Sequence, residues 1–309
     1  MSRYRNFALF LALAAVWGTA FVAIGAGLEY FPPVLFAALR YDIAGLIMLA
    51  YAAYVVDGEA LLPEDRDQWL LVTIGSVFLI AAYHAFLFVG QQNTTAAAAA
   101  IVVSLSPVLT TGFARALVPS DALSAVGLVG VGIGLIGVIV IAQPNPNDLL
   151  SANAIATGLV FLAAASFALG SVLTRRLDAE MAIETMEAWS MIGGAILMHL
   201  LSFGLGEPIE PATWLHPNAF WSLAYLALAS SALGFLVYFT LLERLGPIEI
   251  NMVSYVAPIF AAIFGWLLLD EVITGTTVFG FVLIAIGFVL VKRRAIRDEF
   301  VNLRATTRG

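Results

Sequence analysis

The stretch PPVLFAALRYDIAGLIMLAYAAYVV, residues 32–56, decides what kind of molecule this chain makes. Apart from Arg40 and Asp42 it is a run of apolar and small residues with one tyrosine cluster. About 20 such residues in a helix cross roughly 30 Å of hydrocarbon, and the helix satisfies internally the backbone groups that lipid cannot. The rest of the chain agrees: of 309 residues 61% are apolar and only 11% charged, with a mean hydropathy of +0.97, whereas a soluble domain carries about a quarter of its residues as charges. The fold class expected is therefore an all-α integral membrane protein.

Working outward from residues 32–56, apolar runs alternate with clusters of Pro, Gly, Asn and charge. They fall at 6–28, 33–55, 69–90, 95–115, 122–142, 154–174, 184–204, 219–241, 248–268 and 273–292, which predicts ten transmembrane helices. The first run is too long for a signal-peptide core and reads as a retained helix. The loops test this count, because cytoplasmic loops collect Lys and Arg. With the N-terminus inside, Arg3, Arg5, Arg66, Arg115, Arg175, Arg176, Arg244 and the six basic residues from Lys292 onward all fall inside. The outside loops hold none, and the one basic residue left over is Arg40. The expected location is the cell membrane, multi-pass, with both termini cytoplasmic.

The two halves echo each other. SLSPVLTTGFARALVPSDALS around Pro107 matches SYVAPIFAAIFGWLLLDEVIT around Pro258, and Gly130 and Gly137 match Gly280 and Gly287 about 150 residues on. Five helices per half is an odd number, so the second copy must enter the membrane from the opposite side. The expectation is two inverted five-helix repeats, residues 1–147 and 148–294, with a cytoplasmic tail at 295–309. In carriers built this way the substrate site lies near the midplane between the halves.

The run from Tyr225 to Val291 carries an aromatic-rich helix, an RLG turn, a helical proline, Gly265-Trp266, Glu271 and a glycine-bearing last helix. With WGTAFV at Trp17 and LRYDIAG at Leu39, it resembles the EamA-type ten-helix transporters of the drug/metabolite transporter superfamily, similar to exporters of aromatic amino acids and other metabolites. The resemblance implies a secondary transporter with no enzymatic activity and leaves the substrate open. The family's acidic residue is present as Glu271 but falls at or beside Ser120 in the first half, with Asp121 the nearest acid. Helix capping is the role this position suggests.

A charge at a helix centre costs about 2.5–3.5 kcal/mol on insertion scales. Arg40 and Asp42 cannot offset one another, because residues two apart point roughly 200° apart on a helix. Each needs a partner on a different neighbour, or a polar cavity. His84 and Gln91 share a helical stripe with Phe88, beside Tyr83; Asn251, Tyr255 and Pro258 repeat that spacing. Pro258 and the matching Pro107 each interrupt a helix and mark a kink or hinge. Trp17, Trp189 and Tyr238 add aromatic surface. The candidate substrate-binding set is thus Trp17, Arg40, Asp42, Tyr83, His84, Gln91, Trp189, Tyr238, Asn251 and Tyr255, an amphipathic site suited to amino-acid-like solutes. His199 stands apart from this company. The glycines of helices five and ten read as a packing face.

No cysteine is present, and no phosphate-cradling loop, G-x-S-x-G elbow or H-E-x-x-H pair occurs. Catalytic residues, metal and cofactor are accordingly expected to be none, and the basic tail suits an anionic lipid leaflet rather than nucleic acid. The expected partners are a small-molecule substrate and the lipid bilayer, with monomer and homodimer both open. The function expected is movement of a small organic solute, in the export direction, by alternating access. The competing reading is a non-transporting membrane subunit or an intramembrane enzyme.

Overall fold

The computed structural model describes residues 2–56, 58–117, 125–143, 151–177, 179–208, 210, 213–214, 216–245, 250 and 252–306. Among these every regular element is a helix: α1 (Ser2–Leu28), α2 (Pro33–Val55), α3 (Arg66–Gln91), α4 (Ala96–Leu117), α5 (Ala125–Ala142), α6 (Ala152–Arg176), α7 (Ile183–Leu205), α8 (217–245), α9 (Val253–Leu269) and α10 (Gly275–Thr306). Seven of these, α1 to α4 and α6 to α8, contain stretches long and apolar enough to cross a membrane. In α5, α9 and α10 the apolar stretches are shorter: Val126–Ala142, Val253–Leu269 and Gly275–Val291.

The ends follow from local chemistry. Pro33 and Pro217 open α2 and α8, where a missing N–H costs nothing. Thr95 caps α4 by accepting from the Ala98 N–H at 3.2 Å, and Gly206 ends α7 at φ +68°, a conformation glycine adopts without a Cβ clash. Two helices contain a π-helical stretch, Gly75–Ala82 in α3 and residues 225–233 in α8. Inside α4 the ladder breaks at Ser104 and Leu105. Pro107 has no N–H for the Val103 carbonyl, and the Ser106 hydroxyl donates to that carbonyl instead, at 2.6 Å.

Packing is closest where small residues meet. A Cβ built on Gly130 would sit 2.7 Å from the Gly287 carbonyl oxygen, and one on Gly137 would sit 2.8 Å from that of Gly280. Position rises on α5 as it falls on α10, so the two helices cross antiparallel with their backbones in contact. In the same way Gly18 lets α1 press against α9 at Ala257, beside Pro258. The other main packings are α2 on α7, α1 on α9, α4 on α6, α7 on α3, α2 on α8, α3 on α6, α1 on α8 and α4 on α9. One large buried cluster, including Phe36, Tyr41, Met48, Phe88, Leu105 and Met191, runs through the middle.

Candidate functional site

α2 carries the polar centre. Arg40 is only 6% exposed, and its guanidinium donates to Ser231 Oγ at 2.9 Å and Ser230 Oγ at 3.3 Å, both in the π-helical stretch of α8. Among the described residues no carboxylate comes within ion-pair distance of it. The guanidinium carbon also lies 5.1 Å from the centre of the Tyr41 ring, so the charge is held by two hydroxyls and an aromatic face rather than by a paired carboxylate, a costly arrangement in a membrane interior.

Next to it, the Tyr41 hydroxyl lies 2.8 Å from His84 Nε2, and His84 Nδ1 lies 2.8 Å from the Ile80 carbonyl in the π-helical stretch of α3. A carbonyl can only accept, so Nδ1 carries the proton and Nε2 accepts from Tyr41. Tyr83 stands edge-on to the imidazole at 4.4 Å and also meets Phe167 at 5.5 Å. On the other side of Arg40, the Trp17 indole donates to the Ser230 carbonyl at 3.2 Å and packs on Tyr238 with ring centroids 5.5 Å apart. Arg40, His84, Tyr83, Trp17 and Tyr238 thus gather in one cluster, with Ser230, Ser231 and Tyr41 as its connecting groups. The Arg40, Tyr41, His84, Ser230 and Ser231 side chains are closed over by the bundle. Two surface hollows, of about 550 Å³ beside Gln68 and Glu180 and about 230 Å³ beside Tyr30 and Thr213, lie at opposite ends of the molecule.

The remaining expected residues lie elsewhere. Asp42 turns away from Arg40 and pairs with His199 of α7 at 2.7 Å, on a half-exposed face of the bundle. His199, which the sequence sets apart, is thereby the partner of Asp42. Trp189 donates to the Leu61 carbonyl at 2.9 Å, and Thr185 to that of Ala60 at 3.0 Å, fastening α7 to the loop after α2. Gln91 donates to the Phe21 carbonyl of α1, and its Oε1 has no partner among the described residues. Tyr255 stacks on Phe288 at 4.2 Å, and its buried hydroxyl also has no partner among the described residues. Asn251 and the Ser120–Asp121 region lie outside the described residues.

Sequence reading passed over three contributors. Tyr41 sits between two charges that draw attention from it, and Ser230 is one small hydroxyl in the apolar run LALASSALGF. Glu187 looks like a helix-start acid, yet it is in the second turn of α7, and its carboxylate acts electrostatically on the hydroxyls of both Tyr41 and Tyr238. An acid beyond the first turn, where the helix dipole fades, is the signal that could have identified it.

At the end opposite the N-terminus, carboxylates from the second half cap helices of the first. Glu207 accepts from the Val34 and Leu35 N–H groups at 3.0 and 2.7 Å, and Glu271 accepts from the Ala96 N–H at 2.8 Å. Tyr30 stacks on His216 beside them, centroids 4.1 Å apart.

Comparison with known proteins places this geometry in context. The profile of the EamA-like transporter family matches twice, over residues 6–143 and 154–293. The uncharacterized inner membrane transporter YedA of Escherichia coli K12 is 28% identical over 288 residues, 91% of this chain and 90% of that protein. A probable amino-acid metabolite efflux pump of Salmonella typhimurium LT2 is 28% identical over 293 residues, 93% and 94% of the two chains. One crystal structure superposes with a TM-score of 0.66 at 22% identity, covering 94% of this chain and 98% of its own.

Proposed function

Because this multi-pass membrane protein belongs to the EamA-like transporter family, we propose that it is a secondary carrier that exports a small organic solute bearing a carboxylate, an amino acid or related metabolite, by alternating access. The observation that carries the proposal is Arg40: a buried cation between α2 of one half and α8 of the other, with no carboxylate within ion-pair distance among the described residues. A substrate carboxylate supplies the missing charge, and the planar guanidinium can accept it with two parallel hydrogen bonds. Trp17 and Tyr238 offer the apolar part of the solute an aromatic wall.

Ten crossings in two inverted five-helix units fit the packing. The first unit takes residues 1–147, the second 148–294, and residues 295–309 form a tail. Exchanging the halves turns each main helix contact into another: α1 on α9 becomes α6 on α4, α2 on α8 becomes α7 on α3, and α5 on α10 maps onto itself. The π-helical stretches start at Gly75 and Tyr225, an offset that the repeat requires. The distribution of basic residues favours cytoplasmic termini in the cell membrane. Alternating access then means opening the end held by Glu207 and Glu271 while the end held by Thr185 and Trp189 closes, with Pro107 and Pro258 as hinges. Export follows the naming of the Salmonella relative.

The test is counterflow in proteoliposomes without ATP, over paired solutes that differ only in their carboxylate, such as amino acids and their amides or decarboxylated amines. Saturable flux of the carboxylates, with the paired amines at least about tenfold slower, is expected. Equal flux of both members of each pair would refute the carboxylate reading.

A further inference from the structure

Asp42 and His199 are the anomaly that the transport reading leaves over. Their side chains are 41% and 40% exposed, not facing the polar centre but outward from the α2–α7 pair. Leu46, 65% exposed, and Phe203, 87%, lie one helical turn from Asp42 and His199, and Leu200, 64%, follows His199 directly. His199 is six residues from the end of α7 and Asp42 nine from the start of α2, which puts the pair roughly 9–14 Å inside the ends of the helices. A polar pair on an apolar face at that depth meets lipid, where ionisable groups almost always turn inward or find partners.

The pair is also only half satisfied. The 2.7 Å contact uses Asp42 Oδ2 and His199 Nε2, and neither Asp42 Oδ1 nor His199 Nδ1 has a partner among the described residues. In the ion-paired state both ring nitrogens donate, so the face presents one free donor and one free acceptor side by side. Such a motif is complementary to itself after a two-fold rotation, the symmetry of an isologous dimer.

We propose that the α2–α7 face is the interface between two copies of this chain. His199 Nδ1 of each copy donates to Asp42 Oδ1 of the other, and Leu46, Leu200 and Phe203 form the apolar surround that excludes lipid from the four polar side chains. A second copy is favoured as the occupant because two-fold symmetry supplies both complementary groups at the same spacing without any further residue. Polar contacts of this kind are a recognised glue between membrane helices.

The chain has no cysteine, so one introduced thiol reports only on contact between copies. Leu200→Cys in dilute proteoliposomes is expected to form a disulfide-linked dimer on mild oxidation, whereas Leu128→Cys, exposed on α5, is not. Adding Asp42→Asn and His199→Gln to Leu200→Cys should lower the dimer yield at least tenfold, with a monodisperse elution profile retained. Step-counting of fluorophore bleaching on the otherwise unaltered chain gives an independent reading, with two steps expected. A monomeric count, a Leu200→Cys chain that never crosslinks, or dimer yield unaffected by the paired substitution would overturn the proposal. So would an adduct with a different protein in native membranes while the purified chain stays monomeric.

Discussion

At the scale of single residues, the polar centre is held by very few contacts, and each has a distinct consequence when removed. Tyr41→Phe deletes the donor that, among the described residues, satisfies His84 Nε2, and leaves a buried ring nitrogen unsatisfied. The expected cost is about 1–3 kcal/mol, seen as a lower midpoint in detergent unfolding. If the midpoint is unchanged, the tautomer deduced from the Ile80 carbonyl is wrong. Arg40→Lys keeps the charge but loses the planar fork, so it should preserve folded yield and raise the substrate concentration for half-maximal flux by about tenfold. Much of this centre is visible in the sequence, because a lone arginine and a histidine inside apolar runs have few innocent explanations. What the sequence leaves open is direction. Asp42, two residues from Arg40, is bound to face elsewhere, but only the packing of α7 on α2 determines that His199 is what it meets.

At the scale of elements, α5 and α10 show how far small residues alone can bring two helices together. Gly137→Leu would force a side chain into the space taken by the Gly280 carbonyl and Ile284. Overpacking of this kind costs about 1–3 kcal/mol or more, so thermal stability should drop measurably, while Gly132→Leu, which meets open space, should leave it unchanged. The cap formed by Glu271 brings a pH dependence. Burial pushes its carboxyl above the ordinary carboxylate range, against the pull of the Ala96 and Ala97 N–H groups. A raised folded-state value means that the stability linked to this group is complete below its unfolded value and is lost as pH rises through the folded one. Glu271→Gln should therefore flatten the stability profile over that interval, and an identical slope in both proteins would argue against it. Helices of this length announce themselves by composition; the π-helical stretches at Gly75 and Tyr225 do not, since they carry ordinary apolar residues and arise from how α3 and α8 fit their neighbours.

At the scale of the whole molecule, two half-chains related by an exchange of contacts enclose a guanidinium that has no carboxylate within ion-pair distance among the described residues. The repeat was readable because matching prolines and glycines recur some 150 residues apart, features that the backbone itself needs. Which polar residues converge was less readable: Trp189 and Gln91 have the right chemistry, but they fasten a loop and a neighbouring helix, roles that depend on contacts distant in sequence. The central claim, that the buried guanidinium between the halves receives the carboxylate of a transported solute, is tested most directly by flux of an accepted amino acid through purified protein in liposomes, comparing the unaltered chain with Arg40→Gln. At least a tenfold loss of saturable flux in Arg40→Gln, at unchanged folded yield and with no ATP present, is the predicted result; undiminished flux would contradict it.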